Sequence, residues 1–524
     1  MSSYLAIDVA LGALGVYLLS SYLSKPKHPP LPPGPKPKPI IGNLADLPPP
    51  GELEWLHWTK HKDLYGPISS VSVFGQSIVV VNDLQTAYEL LDKRSSVFSD
   101  RPVLQFAGVM IGFENALAMI RYGDRFRTLR RYLHQYMGSS SAMVQHHPLQ
   151  EQETRKFLLR LLEKSDKLQD QIRATTGSVI LKMSHGYTTE KDGQDPLVTL
   201  ADDVLSQFSL AAQAGAWMVD LLPFLRHVPD WMPGTAFKRI GAKWKNDLDK
   251  IVDLPHAFVK QQMASGSYFP SFTSAFLENG VKSEEDDFLL KWAGFAIYGG
   301  GADTTVSALC SFFLAMLLYP DVQKKAQAEL DRVVGKDRLP NFKDREHLPY
   351  IDALVKETLR WNPVVPLCIP HTTSEDSTYN GYFIPKGAVV LPNIWWFTHD
   401  PSAYKDPNDF KPERFLGDQP EFDPHNIAFG FGRRICPGKE LADASLFITI
   451  AMVLATFNID KAKDREGNPI EVKAEYITGV VTHPKEYTCT LTPRSESAAQ
   501  LIRSNQDEHS AERSDAEALA HVKW

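Results

Sequence analysis

Cysteine is scarce in this 524-residue chain, which has only Cys310, Cys368, Cys436 and Cys489. Four scattered cysteines exclude a disulfide framework and a cysteine-rich zinc site. They suit a reducing compartment, where a cysteine tends to be buried, reactive or metal-bound. Positive charge is not in excess: 56 Lys and Arg stand against 63 Asp and Glu, a net charge of −7. No nucleic-acid partner is expected on that balance. Residues 44–495 contain no internal repeat and no second linker of similar composition, and no acidic block argues for a solvating tail. Flavin and nicotinamide motifs are missing as well. What remains is an ordinary globular balance, 43% hydrophobic and 23% charged, enough to bury a sizeable core.

One long apolar run departs from that balance. From Tyr4 to Leu23 the chain reads YLAIDVALGALGVYLLSSYL, and about 20 such residues span a bilayer core. Its one charge, Asp8, sits near an end of the run, where charge costs less than at the centre. No positive residue precedes the run, which argues against a cleaved signal peptide. Lys25, Lys27 and His28 follow it, and positive flanks stay cytoplasmic. The expectation is a single-pass transmembrane anchor over residues 1–24, with the body facing the cytosol. Residues 25–43, which include HPPLPPGPKPKPIIGN, form a proline-rich linker whose density of proline favours an extended, semi-rigid strut. Residues 44–494 read as a single domain. The polar tail, residues 495–524, is expected to be disordered or a loose helix.

Within the body, β-branched runs at 68–75 and 77–83 predict a hairpin around Gly75 and Gln76. Helical periodicity then dominates, with helices expected at 84–93, 123–137, 149–165, 201–219, 238–264, 284–317, 320–334, 349–360 and 439–456. Shorter strand-like pieces fall at 377–384, 388–393 and 477–492. The fold class is mainly α with a small β portion.

The stretch from Phe429 to Phe457, FGFGRRICPGKELADASLFITIAMVLATF, carries the most chemistry. A glycine-rich loop presents one cysteine, and a long apolar helix begins just after it. Gly430, Gly432 and Gly438 permit close backbone approach. Cys436 near a helix N-terminus is placed where free N–H groups favour a thiolate, and Arg433 and Arg434 can pair with a ligand carboxylate. A lone cysteine is usually a small buried hydrophobe. Here Phe429, Gly432, Arg434, Cys436 and Gly438 stand in order as a ten-residue pattern. That pattern resembles the haem-binding loop of the cytochrome P-450 family. The likeness covers nearly the whole chain and is closest in look to membrane-bound fungal members.

The resemblance implies a P-450 fold with haem b (iron protoporphyrin IX) held between a long central helix and the cysteine-loop helix. Cys436 would be the metal ligand, and Phe429, Gly432 and Gly438 would shape its loop. Three further motifs agree. Glu357 and Arg360, at i and i+3 on one helix face, resemble a buried pair joined by the arginine of Pro412–Phe415, here Arg414. Gly299, Gly300 and Gly301 in mid-helix cost about 1 kcal/mol each relative to alanine and require a reason. The following Asp303 and Thr304 are similar to the family's oxygen-binding groove, where Thr304 would orient protons and Asp303 relay them. An isolated Asp-Thr pair is more often a local hydrogen bond. Arg130 matches a propionate-binding arginine, although Phe126 stands where the family usually has tryptophan and cannot donate an indole hydrogen bond. Arg434 and His371 complete the set expected at the propionates.

A haem-thiolate monooxygenase is the function so implied. It would insert one atom of dioxygen into a lipophilic small molecule, with electrons from a separate NADPH-dependent reductase. Localisation would be the endoplasmic reticulum membrane. Arg125, Arg127, Arg131 and Lys439 would form a basic docking face, or simply a solvated surface. Residues 103–119, Phe295, Ile297, Val364 to Leu367 and Gly479 to Val481 would line an apolar pocket, as fits fungal secondary metabolism or xenobiotic oxidation. Two alternatives stay open: a haem-thiolate isomerase or dehydratase acting without dioxygen, and a non-enzymatic haem-binding membrane protein.

Overall fold

The three-glycine helix organises the fold. In the computed structural model it runs as Glu284–Gly301 and Thr304–Leu318, interrupted at Ala302 and Asp303. Ser283 caps it by accepting the Asp286 N–H, and Glu284, Glu285, Asp286 and Asp287 fill its first turn, as the helix dipole favours. The structure describes residues 28–49, 51–164, 167–191, 194–213, 215–504 and 512–524, together with Gly12. The expected anchor, Gly12 apart, lies outside the described residues. The central helix is itself long and apolar enough to cross a bilayer, yet most of it is buried inside the protein. Its apolar length serves the core.

Around it pack the helices Asp124–Met137, His147–Glu163, Leu168–His185, Pro349–Trp361 and Lys439–Thr456, with Pro196–Ala211 and Ala236–Ser265 at the far end. Two helices absent from the sequence reading have clear reasons for being missed. Leu168–His185 is buried on every face in its second half, so it shows no amphipathic stripe. Glu54–Tyr65 mixes tryptophan, histidine and lysine without a stripe.

The main sheet has four strands: β1 (Ile68–Val73), β2 (Gln76–Val81), β3 (His371–Thr372) and β4 (Val389–Pro392), in the order β1-β2-β4-β3. β1 and β2 are antiparallel, with Val71 opposite Ile78, and β2 runs parallel to β4. The turn falls one residue earlier than expected, at Phe74 and Gly75. Both have positive φ (47° and 84°), the geometry that matches strand twist in a two-residue hairpin.

The proline segment is docked rather than free. The Pro33 carbonyl accepts the Ser70 N–H at 2.8 Å, the Pro30 carbonyl accepts the Phe383 N–H at 2.8 Å, and His28 stacks on Phe383. For the tail, disorder or a loose helix was expected; Glu496–Arg503 is a helix capped by Ser495, with Ile502 buried in the core. Beyond it, Glu512 accepts hydrogen bonds from Lys156 (2.8 Å) and Lys182 (2.5 Å), and Leu519 and Val522 enter the core. A few apolar side chains and one well-placed carboxylate outweigh the polar average of the segment.

Beside the cysteine helix, Glu357 and Arg360 are fully buried. The Arg360 Nε and Nη2 donate to the Glu357 carboxylate at 2.7 and 2.9 Å, and Arg414 Nε donates to it at 3.1 Å. Arg360 also donates to the Thr398, Pro407 and Asp409 carbonyls. Buried charges persist only when paired and fully hydrogen-bonded. This cluster meets both conditions and ties the Pro349–Trp361 helix to the loop before the cysteine.

Candidate active site

The loop from Phe429 to Gly438 wraps one sulfur. The Cys436 N–H donates to the Phe429 carbonyl at 2.8 Å. At Gly432, φ is +54°, and an added Cβ would lie 2.2 Å from the Leu91 carbonyl oxygen. No other residue fits there. Cys436 lines an apolar cavity together with Cys368, Phe429, Gly430 and Gly438. Burial pushes its thiol up, and the Gly438 N–H and Arg130 offset this only in part. The helix terminus alone therefore does not make a thiolate; a cation inside the cavity would have to complete it. Among the described residues no group of three or more His, Cys, Asp or Glu is placed to hold a metal ion. A metal bound by Cys436 must bring its other ligands with it, as iron in a porphyrin does.

One rim of this cavity is rich in positive charge without matching carboxylates among the described residues. Arg130 Nη1 donates to the Ile435 carbonyl at 2.5 Å. Arg434 donates to the carbonyls of Ser99 (2.7 Å) and Ile120 (2.8 Å). Its guanidinium lies over the Phe126 ring. Arg101, which the sequence reading missed, donates to the Ala118, Ile369 and Pro370 carbonyls, while the neighbouring Asp100 is taken by Arg121. Burial holds Arg101 down to about 10 and, with Arg101 beside it, Arg434 down to about 9. His371 is buried, its Nδ1 2.7 Å from the Phe98 carbonyl and its Nε2 without a partner among the described residues. Burial first, then Arg101, keeps its pKa well below the ordinary value. Three guanidiniums and an orphaned imidazole nitrogen fit the two propionates of haem b. Arg101 was discernible only as a lone cation in the otherwise apolar RPVLQFAG run.

Gly300 and Gly301 line the cavity where the central helix is interrupted. A Cβ on Gly301 would meet Ile180 at 2.6 Å, whereas one on Gly300 would meet nothing. One glycine admits a neighbouring helix, and the other leaves open space over the sulfur-bearing loop. The Thr304 hydroxyl donates to the Gly300 carbonyl at 2.7 Å. Asp303 is held by His483 Nε2 at 3.0 Å and by Arg173 Nη1 at 3.3 Å, and Arg173 also binds Asp202 at 2.6 Å. Burial would raise the Asp303 carboxyl, but His483 and Arg173 outweigh it and hold the pKa below the ordinary value.

The walls match most of the expected segments: Phe113, Leu117, Phe295, Val364 and Val481 all line the cavity. Leu205, Phe208 and Ser209, from the Pro196–Ala211 helix, were not anticipated. Ser209 is the one polar side chain among these wall residues. On the basic face, Arg125 is bidentate to Glu285 at 2.7 and 2.9 Å, and Arg127 pairs with Asp124. Arg131 lies over the Tyr132 ring, and Lys439 begins the cysteine helix.

The chain also matches known proteins along its sequence. The Cytochrome P-450 family model matches residues 32–491. The chain is 52% identical to the cytochrome P-450 monooxygenase claR of Ampulloclitocybe clavipes over 515 residues, 98% of this chain and 95% of that one. It is 44% identical to the cytochrome P-450 monooxygenase CLM2 of Gibberella zeae over 523 residues, 98% of each. It is 42% identical to the O-methylsterigmatocystin oxidoreductase of Aspergillus flavus over 518 residues, 98% of this chain and 97% of that one.

Proposed function

Because the chain belongs to the cytochrome P-450 family, and so to its haem b monooxygenases, we propose that Cys436 supplies the thiolate that binds the haem iron. One observation carries this assignment. Cys436, presented by a tight glycine loop, faces a cavity that Cys368 also lines and whose rim holds Arg101, Arg130 and Arg434 without carboxylate partners among the described residues. When bound, haem supplies oxygen activation, and a thiolate ligand favours O–O cleavage. The chain's own residues do the rest.

The rim arginines hold the propionates. His371 donates its Nδ1 hydrogen to Phe98, so its Nε2 becomes a second donor only as an imidazolium, a form that a neighbouring propionate stabilises. Thr304 holds a proton at its hydroxyl beside the open Gly300, and Asp303 passes protons inward when it releases His483 or Arg173. An isomerase or dehydratase acting without dioxygen has no evident use for this pair.

The substrate is a lipophilic small molecule, as the Phe113, Phe208, Phe295 and Val481 walls suit. Its setting is secondary metabolism or xenobiotic oxidation, as the fungal relatives suggest. Electrons come from an NADPH-dependent reductase docking near Arg131 and Lys439. The N-terminal run anchors the chain in the endoplasmic reticulum membrane with the domain in the cytosol. Met218, Phe224, Trp231 and Met232, all exposed before the Ala236–Ser265 helix, suit contact with lipid.

The test is the carbon monoxide difference spectrum of the reduced protein beside that of Cys436→Ser. A strongly red-shifted Soret band that vanishes in the variant supports thiolate ligation and licenses a substrate screen with a reductase. A histidine-type haem spectrum would sink the assignment.

A further inference from the structure

Six charged side chains close a ring next to the cysteine loop. Arg345 donates to Asp352 at 2.7 Å and to Asp443 at 2.5 and 2.9 Å. Asp443 lies 3.0 Å from His425 Nε2, and His425 Nδ1 lies 2.7 Å from Asp423. Lys356 closes the circle, 3.5 Å from Asp423 and 3.2 Å from Asp352. The ring joins the Phe342–His347 turn, the Pro349–Trp361 helix, the loop at Asp423 and the cysteine helix.

His425 is the member whose charge can change. Carboxylates only accept hydrogen bonds, so an imidazole facing one with each nitrogen needs a hydrogen on both. It is an imidazolium, and with it the ring holds three cations and three anions. Its plane lies within 15° of the Phe429 ring, with centroids 5.9 Å apart. Phe429 lines the cavity, and its carbonyl accepts the Cys436 N–H.

We propose that His425 is a positioning residue for Cys436: held between Asp423 and Asp443, it fixes Phe429 and the hydrogen bond that orients the sulfur. Loss of its proton or its ring loosens thiolate ligation. The inference rests on the assignment of Cys436 as the iron ligand. Its sign sets it apart from ordinary thiol chemistry. The thiolate is the metal ligand, so a bare thiol binds better as pH rises, whereas ligation that depends on His425 weakens. Burial lowers His425, but Asp423 and Asp443 outweigh it and carry it up to about 9. Asp423 faces it from its own turn and Asp443 from the cysteine helix, with Arg345, Asp352 and Lys356 completing the ring.

The experiment uses the haem-loaded full chain, reduced, with carbon monoxide spectra and far-UV circular dichroism from about pH 7 to about pH 10. In the unaltered protein the red-shifted band falls by about half near pH 9 at constant helix content. His425→Gln has about threefold less of that band at neutral pH and no alkaline step. His425→Arg, again a cation with several donors, restores the band and also removes the step. The proposal is overturned if His425→Gln keeps both the band and the step, or if the native band holds to about pH 10. Should His425→Gln fail to fold, the native titration decides alone. A native protein without a red-shifted band at any pH would overturn the Cys436 assignment itself, and this proposal with it.

Discussion

The Arg434 guanidinium lies 3.9 Å from the centre of the Phe126 ring. A tryptophan at this position would donate a hydrogen bond toward the haem, and Phe126 cannot. It braces an arginine instead, by a cation–π contact worth about 0.5–2 kcal/mol when desolvated. Phe126→Leu keeps the apolar volume and removes the ring face. Haem transfer from this variant to an excess of a haem-scavenging protein is expected to be about fivefold faster, consistent with about 1 kcal/mol. Phe126→Trp, which restores a donor, is expected to be no faster than the native chain. Equal transfer rates for the leucine variant would show that Arg434 needs no support from the ring.

Asp303 is ionised and held from two different elements, by Arg173 on the Leu168–His185 helix and by His483 on the strand His483–Pro484. An amide has nearly the same shape but cannot relay a proton. Asp303→Asn is therefore expected to lower product formation by about 10- to 100-fold with little change in substrate binding. Reductase-driven oxygen consumption should fall less than product does, with the balance appearing as peroxide. Product formation within about twofold of native would remove Asp303 from the relay.

Glu512 bridges two lysines, Lys156 and Lys182. Lys182 is buried, and besides Glu512 its ammonium reaches the Thr188 hydroxyl at 2.6 Å and lies over the Phe269 ring. Burial raises the Glu512 carboxyl, but Lys156 and Lys182 outweigh it and hold it at about 2. Truncation after Ser504 strands the Lys182 charge and also removes Leu519 and Val522 from the core. The expected cost is about 2–4 kcal/mol, read as a lower thermal midpoint. Glu512→Gln alone should reproduce part of it, and an unchanged midpoint in both would show the tail to be an ornament of the fold.

The parts of this site that were legible in the sequence are those whose partners lie close along the chain. The Phe429–Gly438 loop, the Glu357–Arg360 pair and the Gly299–Gly301 run each announce themselves within ten residues, because tight turns and mid-helix glycines are local demands. Arg101 was not legible, since its significance depends on Asp100 being taken by Arg121 and on carbonyls more than 260 positions away. The ion ring was hidden for the same reason: Arg345 and Asp443 stand 98 residues apart. Leu168–His185 escaped because a helix buried all round loses the stripe that periodicity detects.

The ion ring also sets the shape of stability against pH. Asp423 is held at about 2, burial being outweighed by its bonds to His425, so its contribution is present above the ordinary aspartate range and is lost as pH falls through about 2. His425 is raised to about 9, so its contribution is complete below the ordinary histidine range and is lost as pH rises through about 9. The two together predict a plateau across mildly acidic pH, between the ordinary aspartate and histidine ranges, with a fall on each side. Replacing His425 by glutamine should lower the thermal midpoint most within the plateau, by an amount equivalent to about 2 kcal/mol. The native and variant curves should converge above about pH 9, where the native histidine has also lost its charge. Parallel curves, with a constant gap on both sides of that pH, would mean that His425 stabilises the loop by packing on Phe429 alone and that its charge contributes nothing.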